Sequence, residues 1–255
     1  MTQDTAGEGG APSGTVPEPD AVAAVDDGVR DSALFAGLFD GLVAAAECRT
    51  PGDPAWLLPM ERAALGTVSS KRLHEFAAGR ACARHALRRL GVAPRELPAQ
   101  ADRRPRWPSG FAGSISHTDG LCAAVVAPER LLRSLGIDLE VIADVSPVVW
   151  PELLTAEELR QLARQPLAQR QRLAALTFSA KEAFYKCQYA LTRQWLEFHD
   201  VVVEIETAAM AAGGFRVVPR NGAAAAAPGL VWQGRYCYAG RWVATAVTAP
   251  AGALP

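Results

Sequence analysis

Asp138 and Glu140 stand two residues apart in an apolar run, Gly136-Ile137-Asp138-Leu139-Glu140-Val141-Ile142. Some forty residues later the nonapeptide Phe178-Ser179-Ala180-Lys181-Glu182-Ala183-Phe184-Tyr185-Lys186 adds a third carboxylate and two lysines. In a strand, a spacing of two sends both acidic side chains from one face about 7 Å apart, close enough to converge on one cation. A hard cation such as Mg²⁺ prefers carboxylate, water and phosphate oxygens, and a compact ammonium suits point-charge contact with phosphates. Glu182 and Lys186 are one helical turn apart. These residues therefore read as a phosphate and metal site contributed by two separate segments. The bland alternatives are an acidic solvent face of an edge strand and a surface Glu-Lys pair contributing about 0.3 kcal/mol. Two features weigh against them: Gly136 permits a close backbone approach, and this arginine-rich chain has only three lysines, Lys71, Lys181 and Lys186, two of them in the nonapeptide.

Gly113-Ser114-Ile115-Ser116-His117 places a hydroxyl and an imidazole at a strand end before the turn signal Thr118-Asp119-Gly120, where Ser116 and His117 could donate to a phosphate. Arg72 and Arg80, eight residues apart, fall on roughly one helix face and form a cationic rim.

The elements that must position these groups follow from periodicity. A helix is predicted from about Ser70 to Leu90, with Gly91 as its stop, after a stretch from Ser32 to Glu47 of mixed helix and strand character. A proline-punctuated loop, Pro98 to Gly110, contains Arg103-Arg104-Pro105-Arg106-Trp107-Pro108. Strands are expected at Gly113–His117, Leu121–Ala127 and Leu135–Ile142. Helices follow at Pro151–Arg164, with Thr155 and Glu158 as a capping box, and at Gln169–Leu191. Val201–Glu206, Phe215–Val218, Leu230–Tyr238 and Arg241–Thr248 close the chain as strands, and the Ala223–Ala227 stretch reads as a loop. The order suggests an α+β fold of two pseudo-symmetric halves, each a small, mostly antiparallel sheet packed against helices, with the site at their junction. The expected division is a flexible tail over residues 1–29, too poor in large apolar residues to fold, then halves over 30–143 and 144–255.

With 255 residues and 49% hydrophobic composition the chain can bury a sizeable core. A net charge of -1 gives no global reason to bind nucleic acid or an anionic membrane. Five scattered cysteines without a CxxC spacing fit reduced thiols in the cytoplasm better than a disulfide framework. Neither a membrane span nor a signal peptide is expected.

Taken in order, Phe76-Ala77-Ala78-Gly79-Arg80 with Ala83-Arg84, Pro105-Arg106-Trp107-Pro108-Ser109-Gly110, Gly113-Ser114-Ile115-Ser116-His117, Gly136-Ile137-Asp138-Leu139-Glu140 and the nonapeptide resemble the 4'-phosphopantetheinyl transferase superfamily, in its two-half Sfp/EntD type and EntD-like branch. The resemblance spans about residues 70 to 190 and implies transfer of the 4'-phosphopantetheine arm of coenzyme A to a serine of an acyl or peptidyl carrier protein, releasing 3',5'-ADP. By the same mapping Asp138, Glu140 and Glu182 match the family's Mg²⁺ ligands, with Mn²⁺ an alternative. Arg72, Arg80 and His117 match groups holding the nucleotide end of coenzyme A, and Lys181 and Lys186 match residues near the pyrophosphate. Arg104 stands where the family's loop carries a lysine. The implied roles make Glu182 the base, Lys186 the phosphate or leaving-group stabiliser and Asp138 the third catalytic group. Two halves in one chain would let a monomer build the site. Tyr189, Leu191, Trp195 and Phe198 could form a carrier landing surface or belong to the core. Two other classes compete: a non-catalytic coenzyme A or carrier-binding protein, and a Mg²⁺-dependent nuclease, whose E-x-K element is missing because Val141-Ile142 follow Glu140.

Overall fold

In the computed structural model, residues 28–206, 211–220 and 232–252 are described. Two antiparallel sheets form around short turns. Asp119-Gly120, with Gly120 at φ 73°, joins β3 (Phe111–Thr118) to β4 (Leu121–Pro128), as a two-residue hairpin loop requires. Gly240, at φ 59°, begins the turn between β8 (Trp232–Ala239) and β9 (Trp242–Pro250). The first sheet has the order β1-β2-β4-β3, with β1 at Val29–Asp31 and β2 at Ala44–Cys48. The second has the order β5-β9-β8-β7-β6, with β5 at Leu132–Val141, β6 at Val201–Ile205 and β7 at Ala212–Pro219.

Each sheet carries one long helix. Helix α3 (Ser70–Arg89) starts at Ser69, whose hydroxyl accepts from Arg72 N, and buries Ala78, Cys82, Ala86 and Leu87 against Ala46, Ala124 and Val126 of the first sheet. Helix α6 (Leu167–Thr192) buries Leu176, Ala180, Ala183 and Phe184 against Val203, Phe215, Trp232 and Val247 of the second. A third cluster, with Leu121, Ala123 and Val125 of β4, Leu135, Ile137 and Leu139 of β5, and Phe35 of the short helix α1 (Ala33–Ala36), spans the two sheets. That is why β4 is apolar at every position: it is buried on both faces.

Three sequence expectations change. The division near residue 143 moves upstream, because β5 pairs along its length with β9, Asp138 opposite Thr245, and so belongs to the second sheet. Residue 29 is not tail: Val29 pairs with Cys48 at the start of β1. The helix expected over 151–164 is two, α4 (Trp150–Leu153) and α5 (Ala156–Ala163), broken at Leu154 because Thr155 caps α5 and so cannot be helical itself. The helix α2 (Pro59–Leu65) was not anticipated. Residues 1–27 of the expected tail, the Ala223–Ala227 stretch and the first two residues of the strand expected from Leu230 lie outside the described residues. No helix among the described residues is long and apolar enough to cross a membrane.

Candidate active site

Side chains alternate along β5. With Leu135, Ile137 and Leu139 turned into the core between the sheets, Gly136, Asp138 and Glu140 turn toward α6. A Cβ on Gly136 would lie 1.9 Å from Ala183 O and 2.7 Å from Cys187 N, so the missing side chain is what lets the helix rest directly on the strand. With α6 at that height, Phe178, Glu182 and Lys186, spaced i, i+4 and i+8, face Asp138 and Glu140 across a cleft of about 410 Å³. Helix α3 closes the other side with Arg72, Glu75, Phe76 and Arg80, and the loop residues Arg103 and Pro105 form its lip.

The two sheets meet here edge to edge, β3 beside β5, and the side chains of Gly113-Ser114-Ile115-Ser116-His117 hold the seam. Ser114 Oγ accepts from Ile137 N at 3.1 Å, and Ser116 Oγ donates to Asp138 Oδ1 at 2.9 Å. Lys186 Nζ bridges the same junction, donating to Asp138 Oδ1 at 2.7 Å, Ser116 Oγ at 3.2 Å and Ile137 O at 3.2 Å. At the α3 end, Arg72 Nη1 lies 2.7 Å from His117 Nε2, and the Glu75 carboxylate is 3.9 Å from Arg72 and 3.7 Å from His117.

Burial makes these charges costly and interdependent. Glu140 is pushed up to about 8, first by loss of water and then by the Asp138 carboxylate, with Glu182 adding to it. Glu182 is raised for the same first reason, and Asp138 raises it further against the opposing pull of Lys186. Burial would depress Lys186, but Asp138 and Glu182 outweigh it and hold the ammonium above its ordinary value. His117 is depressed by burial, partly opposed by Glu75. Arg80 is lowered by burial to about 10 and stays charged; it gives Nε–H to Leu97 O at 2.6 Å and lies 4.0 Å over the Phe76 ring. Among the described residues its Nη2 has no hydrogen-bond partner, and neither does the buried Asp138 Oδ2. An unpaired buried donor in a cleft that also carries Arg72, Arg103 and Lys186, and an unpaired carboxylate oxygen in a cleft that also carries Glu140 and Glu182, are the features expected where an anion and a hard cation are to be received. The donor set, oxygen throughout, fits Mg²⁺; it is not pre-assembled, since among the described residues no group of three His, Cys, Asp or Glu side chains is gathered to hold a metal.

Two expected site residues, Lys181 and Arg104, stand outside this cleft, and a third, Ser116, lines it. Lys181, beside Glu182 in sequence, is turned about 100° around the helix and is 1% exposed: its ammonium donates to Glu158 Oε2 at 2.7 Å, Phe198 O at 2.8 Å and Leu153 O at 3.0 Å. It does not reach the cleft that holds Lys186. Arg104 gives its Nε–H to Asp102 at 2.8 Å and lies 5.6 Å over the Tyr189 ring, while Arg103, at φ 67°, takes the place at the lip. Ser116 is buried between Asp138 and Lys186, donating to the carboxylate and accepting from the ammonium. Glu75 and Arg103 were missed. Glu75 was legible as the i+3 neighbour of Arg72 on one helix face; Arg103 was not, since only the turn geometry aims it. Of the aromatic residues after Lys186, Trp195 is 67% exposed, while Tyr189 and Phe198 are half-buried.

A seam of two antiparallel sheets, lined by Asp138, Glu140 and Glu182 on one side and by arginines and a histidine on the other, has the charge pattern of a site for a phosphate-bearing group. Comparison with known proteins makes that class particular. The 4'-phosphopantetheinyl transferase N-terminal domain matches residues 60–127 and the 4'-phosphopantetheinyl transferase superfamily matches residues 134–246. The chain is 37% identical over 217 residues to the 4'-phosphopantetheinyl transferase Svp of Streptomyces mobaraensis, covering 79% of this chain and 83% of that protein. It is 37% identical over 180 residues to the transferase PptT of Mycobacterium tuberculosis, covering 69% and 77%, and 38% identical over 137 residues to enterobactin synthase component D of Salmonella typhimurium, covering 52% and 55%. The chain belongs to the 4'-phosphopantetheinyl transferase superfamily and is an enzyme of that family. A nuclease or a non-catalytic binder is not favoured.

Proposed function

We propose that this cleft moves the 4'-phosphopantetheine arm of coenzyme A onto a serine of an acyl or peptidyl carrier protein. The observation that carries the reading is that Glu182, Lys186, Asp138 and Glu140 face one cleft whose far wall presents Arg72, Arg80 and His117. The serine oxygen bonds to the phosphorus nearer pantetheine, the P–O bond to the bridging oxygen breaks, and 3',5'-ADP leaves with the electron pair. Glu182 takes the serine proton. Its raised affinity for a proton suits a general base better than an ordinary carboxylate would. Lys186 stays charged and meets the phosphate oxygens, moving off Asp138 as they arrive.

Asp138, Glu140 and Glu182 would hold Mg²⁺, or Mn²⁺ in its place, and the ion supplies neutralisation of pyrophosphate charge when bound. Arg72, His117 and the unpaired Arg80 Nη2 receive the nucleotide phosphates. His117 and Glu75 also line a second hollow of about 360 Å³, with Lys71 and His74, which suits the nucleotide end. Glu182 also lines a mostly apolar hollow of about 380 Å³ with Lys181, Phe184, Tyr185, Trp195 and Phe198, which suits the pantetheine arm. Because one chain supplies both sides of the cleft, the enzyme works as a monomer, and five free thiols suit the cytoplasm. The test is the intact mass of an apo carrier protein incubated with the enzyme and coenzyme A. A gain of one phosphopantetheine that EDTA prevents, and that a Ser→Ala carrier lacks, is expected; an unchanged carrier mass with Mg²⁺ present overturns the proposal.

A further inference from the structure

On the other side of Lys186 from the cleft, a separate groove of about 390 Å³ opens along the start of β3 and the end of α6. It shares Lys186, Pro105 and Ile115 with the cleft, so whatever lies in it is one side chain away from the reacting phosphate. Its walls carry Arg104, Arg106, Arg133, Arg193 and Lys186 against the single acid Glu129. That excess is local, because the whole chain has 26 basic and 27 acidic residues. Asp102 engages two of the arginines, Arg104 at 2.8 Å and Arg193 at 3.6 Å. Arg106 and Arg133 are exposed and have no ion-pair or hydrogen-bonded side-chain partner among the described residues. Between the charges, half-buried Trp107 and Phe111 give the groove an apolar floor.

Resting on the transferase reading, we propose that this groove docks the acidic segment flanking the acceptor serine of the carrier protein. Unpaired guanidinium groups over an apolar floor are complementary to an amphipathic acidic helix: carboxylates meet Arg106 and Arg133 while an apolar face covers Trp107 and Phe111. The position fits the chemistry, since a serine beside that segment enters the cleft past Lys186 and the body of its protein stays outside. Coenzyme A has its own cations in the cleft, Arg72, Arg80 and Arg103, none of which lines the groove. Exposed charges of this kind act on encounter and register more than on the chemical step, so the effect belongs in the KM for carrier.

The experiment is steady-state transfer by the full chain, wild type against Arg106→Glu/Arg133→Glu, to whichever of an apo acyl carrier protein and an apo peptidyl carrier domain the wild type modifies faster. The KM for carrier should rise on the order of tenfold, with kcat and the KM for coenzyme A within about twofold of wild type. Added salt should raise the wild-type KM for carrier and leave that of the variant nearly flat. A carrier with lysine in place of an acidic residue beside its serine should regain part of the lost efficiency with the double variant. If the wild type transfers and the variant keeps the KM for carrier, or if the KM for coenzyme A rises by the same factor, the docking inference is wrong and the transferase reading stands. If the wild type modifies no carrier, both fall. Arg106→Gln/Arg133→Gln, which adds no new charge, should give the same direction with a smaller factor, and its failure to do so counts against the proposal equally.

Discussion

Replacing Lys181 with methionine separates a strut from a phosphate ligand. The ammonium is buried with Glu158, the two side chains being 1% and 4% exposed, and it also satisfies Leu153 O and Phe198 O. Glu158 in turn accepts from Thr155 N at 2.7 Å and Val203 N at 2.8 Å, so one ion pair ties α4, α5, α6 and β6 together. Methionine fills the space but leaves Glu158 as an uncompensated buried charge, which costs about 3–5 kcal/mol. For a chain of this size each kcal/mol moves the midpoint by about 2–4 °C, so Tm should fall by roughly 6–20 °C. Thermal and urea unfolding of the full chain measure it, alongside coenzyme A affinity at a temperature where the variant is folded. The affinity should change by less than about threefold, under 1 kcal/mol. Glu158→Gln combined with Lys181→Met should lose less than the two single changes summed, with a coupling of about 0.5–3 kcal/mol. An unchanged Tm together with a large loss of coenzyme A affinity would refute the reasoning and return Lys181 to the phosphate.

Three further outcomes follow from the same geometry. Glu140 holds its proton up to about 8 in the folded protein against 4.5 for an ordinary glutamate, and Glu182 is shifted in the same direction. The folded state therefore binds more protons than the unfolded chain between those values, and without divalent metal the urea midpoint should fall as pH rises from about 4.5 through about 8; Glu140→Gln should flatten that slope. Ser116→Ala removes the donor that orients Asp138 and should lower transfer by about 10–100-fold, the scale for losing a partner of a ligating carboxylate, with a stability loss of only about 1 kcal/mol. Gly136→Ala pushes a methyl into Ala183 O and should cost about 1–3 kcal/mol by overpacking. Because α6 carries Glu182 and Lys186, its activity should fall further than the loss of folded protein explains.

Local pattern told much of this, and long-range packing the rest. The alternation over Ile137-Asp138-Leu139-Glu140 placed both carboxylates on one face, and the i, i+4 spacing joined Glu182 to Lys186. Periodicity fixes the angles between residues on a helix but not how the helix is turned against its sheet. For α6 that phase is set by contact with Gly136, and it sends Lys181 to Glu158 and away from the cleft. The capping box was readable at Thr155 and Glu158, yet nothing local says that the same Glu158 also neutralises a lysine 23 residues on. Likewise β5 follows β4 directly in sequence but pairs with β9, whose residues come about a hundred positions later, so its membership of the second sheet depends on the folded chain. The serines at 114 and 116 had the correct composition for polar work; only the seam between β3 and β5 shows that the work is joining two sheets.

The central claim is that Glu182 belongs to the chemical step of phosphopantetheine transfer. Single-turnover transfer to an apo carrier protein by Glu182→Gln, with coenzyme A binding measured on the same sample, tests it most directly. The account predicts that the variant folds, retains coenzyme A with at most a modest loss, and leaves the carrier in its apo form. Near-normal conversion of the carrier by Glu182→Gln would contradict it.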